Sequence, residues 1–123
     1  QVASCGSDVL GKPGTHENAT RQLLLLSGRE AVFYTALCVH NTATDRTLHR
    51  TLANHVLFRT LSPALIERYL LREKPSDCAG SAKSEGLGIA LLESIDNDDP
   101  TALIGLPLIR TARLLRQAGV KLL

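Results

Sequence analysis

The sequence contains no tryptophan and no methionine, and aromatic residues make up only 3% of it. Leu, Ile, Val and Ala must therefore fill the core. The longest apolar runs, such as 23–26 and 89–92, have four residues, whereas a membrane-spanning helix needs about 20. The formal charge of +2 is too small to indicate a nucleic-acid or membrane surface. The composition predicts one soluble domain without nucleic-acid or membrane partners.

Cysteine and histidine are too sparse and too widely spaced to indicate a disulfide framework or a zinc site. The three cysteines, Cys5, Cys38 and Cys78, are widely spaced and form no Cys-x-x-Cys pair, which favours a reducing compartment over disulfides. The histidines show no paired zinc-ligand spacing. No basic region followed by an apolar stretch opens the chain, so no signal peptide is predicted. We expect a cytoplasmic protein, and the sequence leaves the identity of any metal unknown.

Strand and helix patterns alternate along the whole chain. Ser62 and Pro63 are typical of a helix start, and Gly28 is typical of a helix end. The predicted elements are a hairpin over residues 1–10, a helix over 17–26, antiparallel strands over 30–40 and 47–58, a helix from 63 to 72, a polar loop over 73–84, a strand over 86–95 and a helix over 107–118. This order predicts a single α/β domain with a mixed, largely antiparallel sheet flanked by helices.

Four segments stand in an order and spacing that known proteins share. They are Gly11-Lys12-Pro13, the Ser27-Gly28 turn followed by Phe33-Tyr34-Thr35, the loop 78–88 and the segment 103–108. Together they resemble the Maf family of nucleotide pyrophosphatases over essentially the whole chain. The Lys-Ser-Glu-Gly stretch at 83–86 is similar to the branch that acts on 7-methyl-GTP, since the dTTP/UTP branch usually has Gln at the Glu85 position.

The resemblance implies a fold, a reaction and a cofactor. The family has a Maf/ITPase-like, elongated α/β fold with its cleft between two lobes. Its members hydrolyse nucleoside triphosphates between the α and β phosphates, with a divalent metal such as Mg or Mn. A homodimer is one possible assembly. Two alternatives stay open: a dTTP/UTP pyrophosphatase, and a non-catalytic interaction protein linked to septum formation.

Two family motifs are absent from these residues. The family begins with a strand and a Ser-x-Ser-x-x-Arg-Arg loop, and its catalytic aspartate lies in a Gly-Ser-Asp-Gln-Val stretch, whereas this sequence opens with Gln1-Val2. By this alignment the aspartate falls directly before Gln1, and Asp8 lies too close to Lys12 to replace it. We expect the chain to be the C-terminal two-thirds of the family's domain, without the first strand and helix, and inactive by itself.

The resemblance assigns roles to five residues. Lys12, held on a Gly/Pro-fixed loop, is expected to offset the charge that develops on the phosphates. Gln1 and Glu85 match the family's specificity positions, and Lys83 and Ser81 are expected to contact the substrate. Without the resemblance, lysines and glutamates in such loops would be interpreted as solvated surface groups.

A carboxylate at position 85 suits a guanine-type base. It can accept hydrogen bonds from the purine N1–H and the exocyclic amine, and it favours the positive charge of a methylated guanine. The acidic turn 96–99 lacks the ligand spacing of a calcium loop, and we interpret it as solvated. Arg110, Arg113 and Arg116 repeat at helical spacing and are interpreted as a solvated helix face.

Overall fold

The computed structural model describes residues 1–123, which form five strands and three helices. The strands are β1 (Val2–Cys5), β2 (Asp8–Leu10), β3 (Glu30–Asn41), β4 (Arg46–Phe58) and β5 (Leu92–Asp96). The helices are α1 (His16–Leu26), α2 (Pro63–Glu73) and α3 (Leu108–Gln117), and two short 3₁₀ turns cover Ala79–Ser81 and Leu87–Leu91.

The five strands form one sheet in the order β2-β1-β3-β4-β5. Every neighbouring pair is antiparallel. The β3–β4 hairpin contains the two longest strands of the sheet. Its paired residues run from Glu30 opposite Leu57 to Asn41 opposite Arg46. The predicted α/β fold class is confirmed, with a sheet that is antiparallel throughout.

Local capping explains where the first two helices begin. The Thr15 hydroxyl accepts a hydrogen bond from the Asn18 N–H at 3.2 Å, and the Ser62 hydroxyl accepts one from the Leu65 N–H at 3.2 Å. Each bond satisfies a backbone donor that has no partner within its helix. Gly28 follows the end of α1 with a φ of 68°, the left-handed conformation that glycine adopts without strain.

The core lies on one face of the sheet. Along β3, Ala31, Phe33, Thr35 and Leu37 are buried, while the residues between them point to the other, more exposed face. The buried face packs against α1 and α2 near one end, through side chains that include Leu23, Leu26, Ile66 and Leu70, and against α3 further along β3. No helix of this fold combines the length and apolarity that crossing a membrane requires.

The predicted strand over 86–95 is wrong in its first half. Leu87–Leu91 forms a 3₁₀ turn, and β5 begins only at Leu92. A Cβ atom on Gly88 would lie 2.5 Å from the backbone N and O atoms of Lys83. The chain folds back on itself here, and this close contact between backbones takes the place of strand pairing.

The acidic turn also differs from the prediction, because Asp99 is fully buried. Its carboxylate accepts hydrogen bonds from the Thr101 hydroxyl at 2.8 Å and from the Arg110 N–H in the first turn of α3 at 3.0 Å. Asp96 and Asp98 are exposed as expected for surface acids, and Asp98 pairs with the Arg110 guanidinium at 3.1 Å. The turn is therefore a cap for α3 supplied from outside the helix.

Candidate functional site

One cleft of about 300 Å³ collects residues from distant parts of the sequence. Its lining includes three of the five predicted site residues: Gln1 before β1, Lys12 after β2, and Glu85 in the loop after α2. The other lining residues are Phe33, Asp77, Cys78, Ala79, Ala82, Leu103 and Ile104. The cleft thus holds an amide, an ammonium and two carboxylates beside an apolar wall.

Lys12 stands on a loop whose backbone is fixed while its own side chain is free. The Gly11 carbonyl accepts hydrogen bonds from the Gln22 side chain at 3.1 Å and from the Gly80 N–H at 3.3 Å. Pro13 is buried. The Lys12 ammonium takes part in none of the hydrogen bonds or ion pairs of this structure. A cation on a rigid support is well suited to bind an anionic group.

Tyr69 of α2 fixes the loop that carries Glu85. Its hydroxyl donates to the Ser81 carbonyl and accepts from the Lys83 N–H, both at 3.1 Å. Burial raises the pKa of Tyr69 to about 12, against the opposing effect of the Lys83 hydrogen bond. The hydroxyl therefore stays protonated near neutral pH and can serve both bonds. Glu85 itself is exposed and pairs with no cation.

Lys83 and Ser81 do not line the cleft. The Lys83 ammonium lies 3.2 Å from the Glu73 carboxylate, and hydrogen bonds from the Leu87 N–H and from Lys83 lower the pKa of Glu73. Ser81 is fully buried and donates to the Gln22 side-chain oxygen at 2.6 Å. These contacts stabilise the loop from behind. Direct contact of either residue with a substrate stays a prediction.

Gln1 is held in place by its side-chain amide. The amide nitrogen lies 3.0 Å from the Thr35 hydroxyl, 3.0 Å from the Ala102 carbonyl and 3.1 Å from the Leu103 carbonyl. Strand β3 and the segment 102–103 are thereby linked at the cleft wall. Thr35 belongs to the Phe33-Tyr34-Thr35 segment, which marked the family resemblance without revealing this contact.

Asp77 and Phe33 are cleft residues that the sequence analysis did not select. Asp77 directly precedes the 78–88 loop in the sequence. This adjacency to a family motif is the feature from which it could have been selected. Phe33 is buried and was interpreted only as part of a strand. Cys78 is half-buried at the same place, and its pKa is raised, first by burial and then by the nearby Asp77. The thiol is therefore protonated at neutral pH.

No group of three or more histidine, cysteine, aspartate or glutamate side chains is placed to hold a metal ion. The two carboxylates of the cleft are too few for a metal cage made of these residues alone. Mg²⁺ is commonly bound by one or two carboxylates together with substrate phosphates.

A second cleft of about 290 Å³ lies between β4 and α3. Arg50, Arg110 and Arg113 line it with Asp98, and none of the four marked segments contributes to it. Its arginines include two of the three that were predicted to form a solvated helix face. We place the candidate site in the first cleft, because that cleft contains residues from all four marked segments.

The fold and the first cleft define an α/β domain with a polar site walled by apolar side chains. The family model described as Maf-like protein matches residues 1–118. The chain belongs to the Maf-like protein family, and the resemblance seen in the four segments is confirmed.

Curated relatives carry the name of the branch that the 83–86 stretch indicated. The chain is 53% identical to the 7-methyl-GTP pyrophosphatase of Burkholderia orbicola (strain AU 1054), over 99% of this chain and 58% of that protein. It is 57% identical to the protein of that name from Polaromonas sp. (strain JS666 / ATCC BAA-500), over 99% of this chain and 56% of the relative. It is 54% identical to the 7-methyl-GTP pyrophosphatase of Albidiferax ferrireducens, over 100% of this chain and 62% of the relative. The chain thus spans less than two-thirds of the length of these relatives.

Proposed function

We propose that this chain supplies the base-reading and part of the phosphate-binding surface of a nucleoside triphosphate pyrophosphatase. The reaction is hydrolysis of the α–β phosphoanhydride of 7-methyl-GTP, or of a related modified nucleotide, to the monophosphate and pyrophosphate. The observation that carries the proposal is the meeting of Gln1, Lys12 and Glu85 in one cleft. The names of the relatives support the choice of substrate.

Each of the three side chains has a chemical role in this proposal. The Lys12 ammonium offsets negative charge on the phosphates as the anhydride bond breaks. The Glu85 carboxylate accepts hydrogen bonds from the donor edge of a guanine-type base and favours its methylated, cationic form. Gln1 lies beside the same base. The proton acceptor is an aspartate that we expect directly before Gln1, and that assignment stays a prediction.

The remaining expectations belong to the whole protein. The triphosphate would bring a divalent cation, Mg or Mn, and the protein would act in the cytoplasm. The residues 1–123 alone are expected to hydrolyse nucleotides negligibly, since loss of a general base commonly costs about 10²- to 10⁴-fold. Activity tests therefore use this sequence together with an upstream segment that supplies the aspartate.

The test of base reading is the substitution Glu85→Gln in that longer protein. It keeps the size of the side chain but removes its charge and one acceptor. We expect a cost of about 1–3 kcal/mol in kcat/KM for 7-methyl-GTP, the size of a lost hydrogen bond to a charged group. The effect on dTTP should be smaller or of opposite sign, because thymine has acceptors where guanine has donors. Pyrophosphate release with each nucleotide measures both values.

Lys12→Ala is the control, since a phosphate ligand should slow every nucleotide about equally. If Glu85→Gln slows 7-methyl-GTP and dTTP alike, Glu85 does not read the base and the substrate assignment loses its support. If the unsubstituted protein releases no pyrophosphate from any nucleotide, the proposed activity itself is wrong.

A further inference from the structure

The side-chain amide of Gln1 has all its donors engaged and its acceptor free. Its nitrogen, Nε2, lies within 3.1 Å of three acceptors, on Thr35, Ala102 and Leu103. Its oxygen, Oε1, takes part in no hydrogen bond with the protein. Gln1 is exposed and lines the candidate cleft, and its side-chain oxygen has no protein partner there.

The partners decide which way the amide is turned. The carbonyl oxygens of Ala102 and Leu103 can only accept, so they require the nitrogen and not the oxygen of Gln1. The Thr35 hydroxyl has a single hydrogen, which it donates to the Ala102 carbonyl at 2.8 Å. Thr35 can therefore only accept from Gln1. A flipped amide would place Oε1 against three oxygen atoms, none of which has a hydrogen left to offer.

Thr35 connects this arrangement to the sheet. It is buried in β3, and its hydroxyl bonds both to Gln1 and to the Ala102 carbonyl. One hydroxyl thus fixes the amide and the segment that supplies the other two acceptors. A buried hydroxyl with both bonds made is costly to disturb, because the buried Ala102 carbonyl would lose a hydrogen bond away from water.

We infer that Thr35 is a positioning residue for substrate selection: together with the Ala102 and Leu103 carbonyls, it holds the Gln1 amide in the orientation in which the cleft presents an acceptor, Oε1, in addition to the Glu85 carboxylate. The inference rests on the proposed function and adds to it the residue that orients a second hydrogen-bond acceptor for the base. The Glu85 carboxylate can accept from N1–H and from one hydrogen of the 2-amino group of a guanine, and Oε1 can accept the second hydrogen of that amino group. The edge of a guanine has two adjacent donors, N1–H and the 2-amino group, whereas thymine and uracil have one N–H between two carbonyls.

The substitutions Thr35→Val and Thr35→Ser test whether Thr35 orients the Gln1 amide or only stabilises the fold. Valine keeps the shape of threonine but lacks the hydroxyl, and serine keeps the hydroxyl. In the longer protein, Thr35→Val should lower the ratio of kcat/KM for 7-methyl-GTP to that for dTTP by about three- to tenfold, the value of one hydrogen bond. The change should lie in KM for 7-methyl-GTP, with kcat preserved. Thr35→Ser should keep the wild-type ratio.

A second measurement needs no turnover. In the NMR spectrum of the wild-type protein, the Gln1 side-chain amide protons should exchange slowly with solvent, and Thr35→Val alone should accelerate them. An unchanged nucleotide ratio in Thr35→Val, or an equal loss in Thr35→Ser, would overturn the positioning role while leaving the pyrophosphatase proposal intact. Absence of turnover in the wild type would overturn the proposed function, and the selection role with it.

Discussion

Asp99 shows how a single buried acid organises the end of the molecule that carries α3. Burial acts to raise its pKa, but hydrogen bonds from the Arg110 N–H, from Thr101 and from the Ile109 N–H outweigh that effect, and the pKa is lowered. A negative charge next to the first turn of a helix is also favoured by the helix dipole. The ionised carboxylate is therefore the form that stabilises the fold.

We expect Asp99→Ala to lower the free energy of unfolding by about 2–3 kcal/mol, because backbone donors of α3 would lose a charged acceptor in a buried place. The pKa of Asp99 is lowered on folding, so its stabilisation is complete above the ordinary aspartate pKa of 3.8 and is lost as the pH falls through the lowered value. Urea unfolding of both proteins at neutral and acid pH measures the difference, which should shrink in acid.

Asp98→Ala is the matched control for Asp99→Ala. Asp98 is the neighbouring acid, but its side chain is 84% exposed and makes only a surface ion pair with Arg110. Such pairs contribute about 0–1 kcal/mol. Equal destabilisation by the two substitutions would show that the buried hydrogen bonds of Asp99 are not what stabilises α3.

At the scale of elements, the loop 78–88 depends on a close backbone contact at a glycine. The backbone of Gly88 lies against the backbone of Lys83, where a Cβ atom would come within 2.5 Å of two backbone atoms. A flexible side chain could move away from such a contact, but a backbone already held by Tyr69 has little freedom to do so. The position of Glu85, between these two residues, follows from this packing.

Gly88→Ala should therefore destabilise the chain by about 1–3 kcal/mol, the usual cost of forcing extra atoms into a packed region. It should also displace Glu85, which would appear as NMR shift changes for residues 83–87. Gly105→Ala is the control, since no atom lies within 4 Å of a Cβ built there. If both substitutions have the same small effect on the melting temperature, the tight backbone contact does not constrain the loop.

The elements that the sequence predicted well are those decided by neighbouring residues. Ser62 and Pro63 start α2 through a bond to the nearby Leu65 N–H, and the left-handed φ after α1 is one that Gly28 adopts because it has no side chain. The strand over 86–95 was mispredicted because Gly88 meets Lys83 through a fold-back of the chain. Asp99 was misjudged for a similar reason: its donor, the Arg110 N–H, belongs to a later element. Contacts between separate segments of the chain cannot be predicted from the hydrophobic periodicity of the sequence.

At the scale of the whole molecule, the candidate cleft was predictable in part. The family motifs selected Gln1, Lys12 and Glu85, and the fold brings them together. Motifs could not show that Ser81 is buried, or that Lys83 pairs with Glu73. Both belong to the same loop motif as Glu85. Membership of a motif selects a segment, whereas the fold decides which of its side chains reach the cleft.

One face of the sheet is buried in the core, and the other leaves apolar side chains exposed. The exposed face affects whether the chain associates with itself in solution. Opposite the buried core, cross-strand neighbours such as Val2 and Tyr34 remain 38% and 41% exposed, and Val9 is 73% exposed. Exposed apolar patches and sheet edges favour association with other molecules. For residues 1–123 alone we expect self-association that increases with protein concentration.

Tyr34→Glu tests whether this face is responsible. A charge in the middle of the face, on β3 and opposite Ala53 of β4, would have to be desolvated when two copies pack together, which is unfavourable without a partner. We expect the substitution to shift the sedimentation velocity profile towards the monomer. Thr42→Glu, in the exposed turn between β3 and β4, adds the same charge away from the face and should leave association unchanged.

A wild-type chain that sediments as a monomer at every concentration would contradict the prediction. If both variants reduce association equally, the cause is the change in net charge and not the exposed face of the sheet.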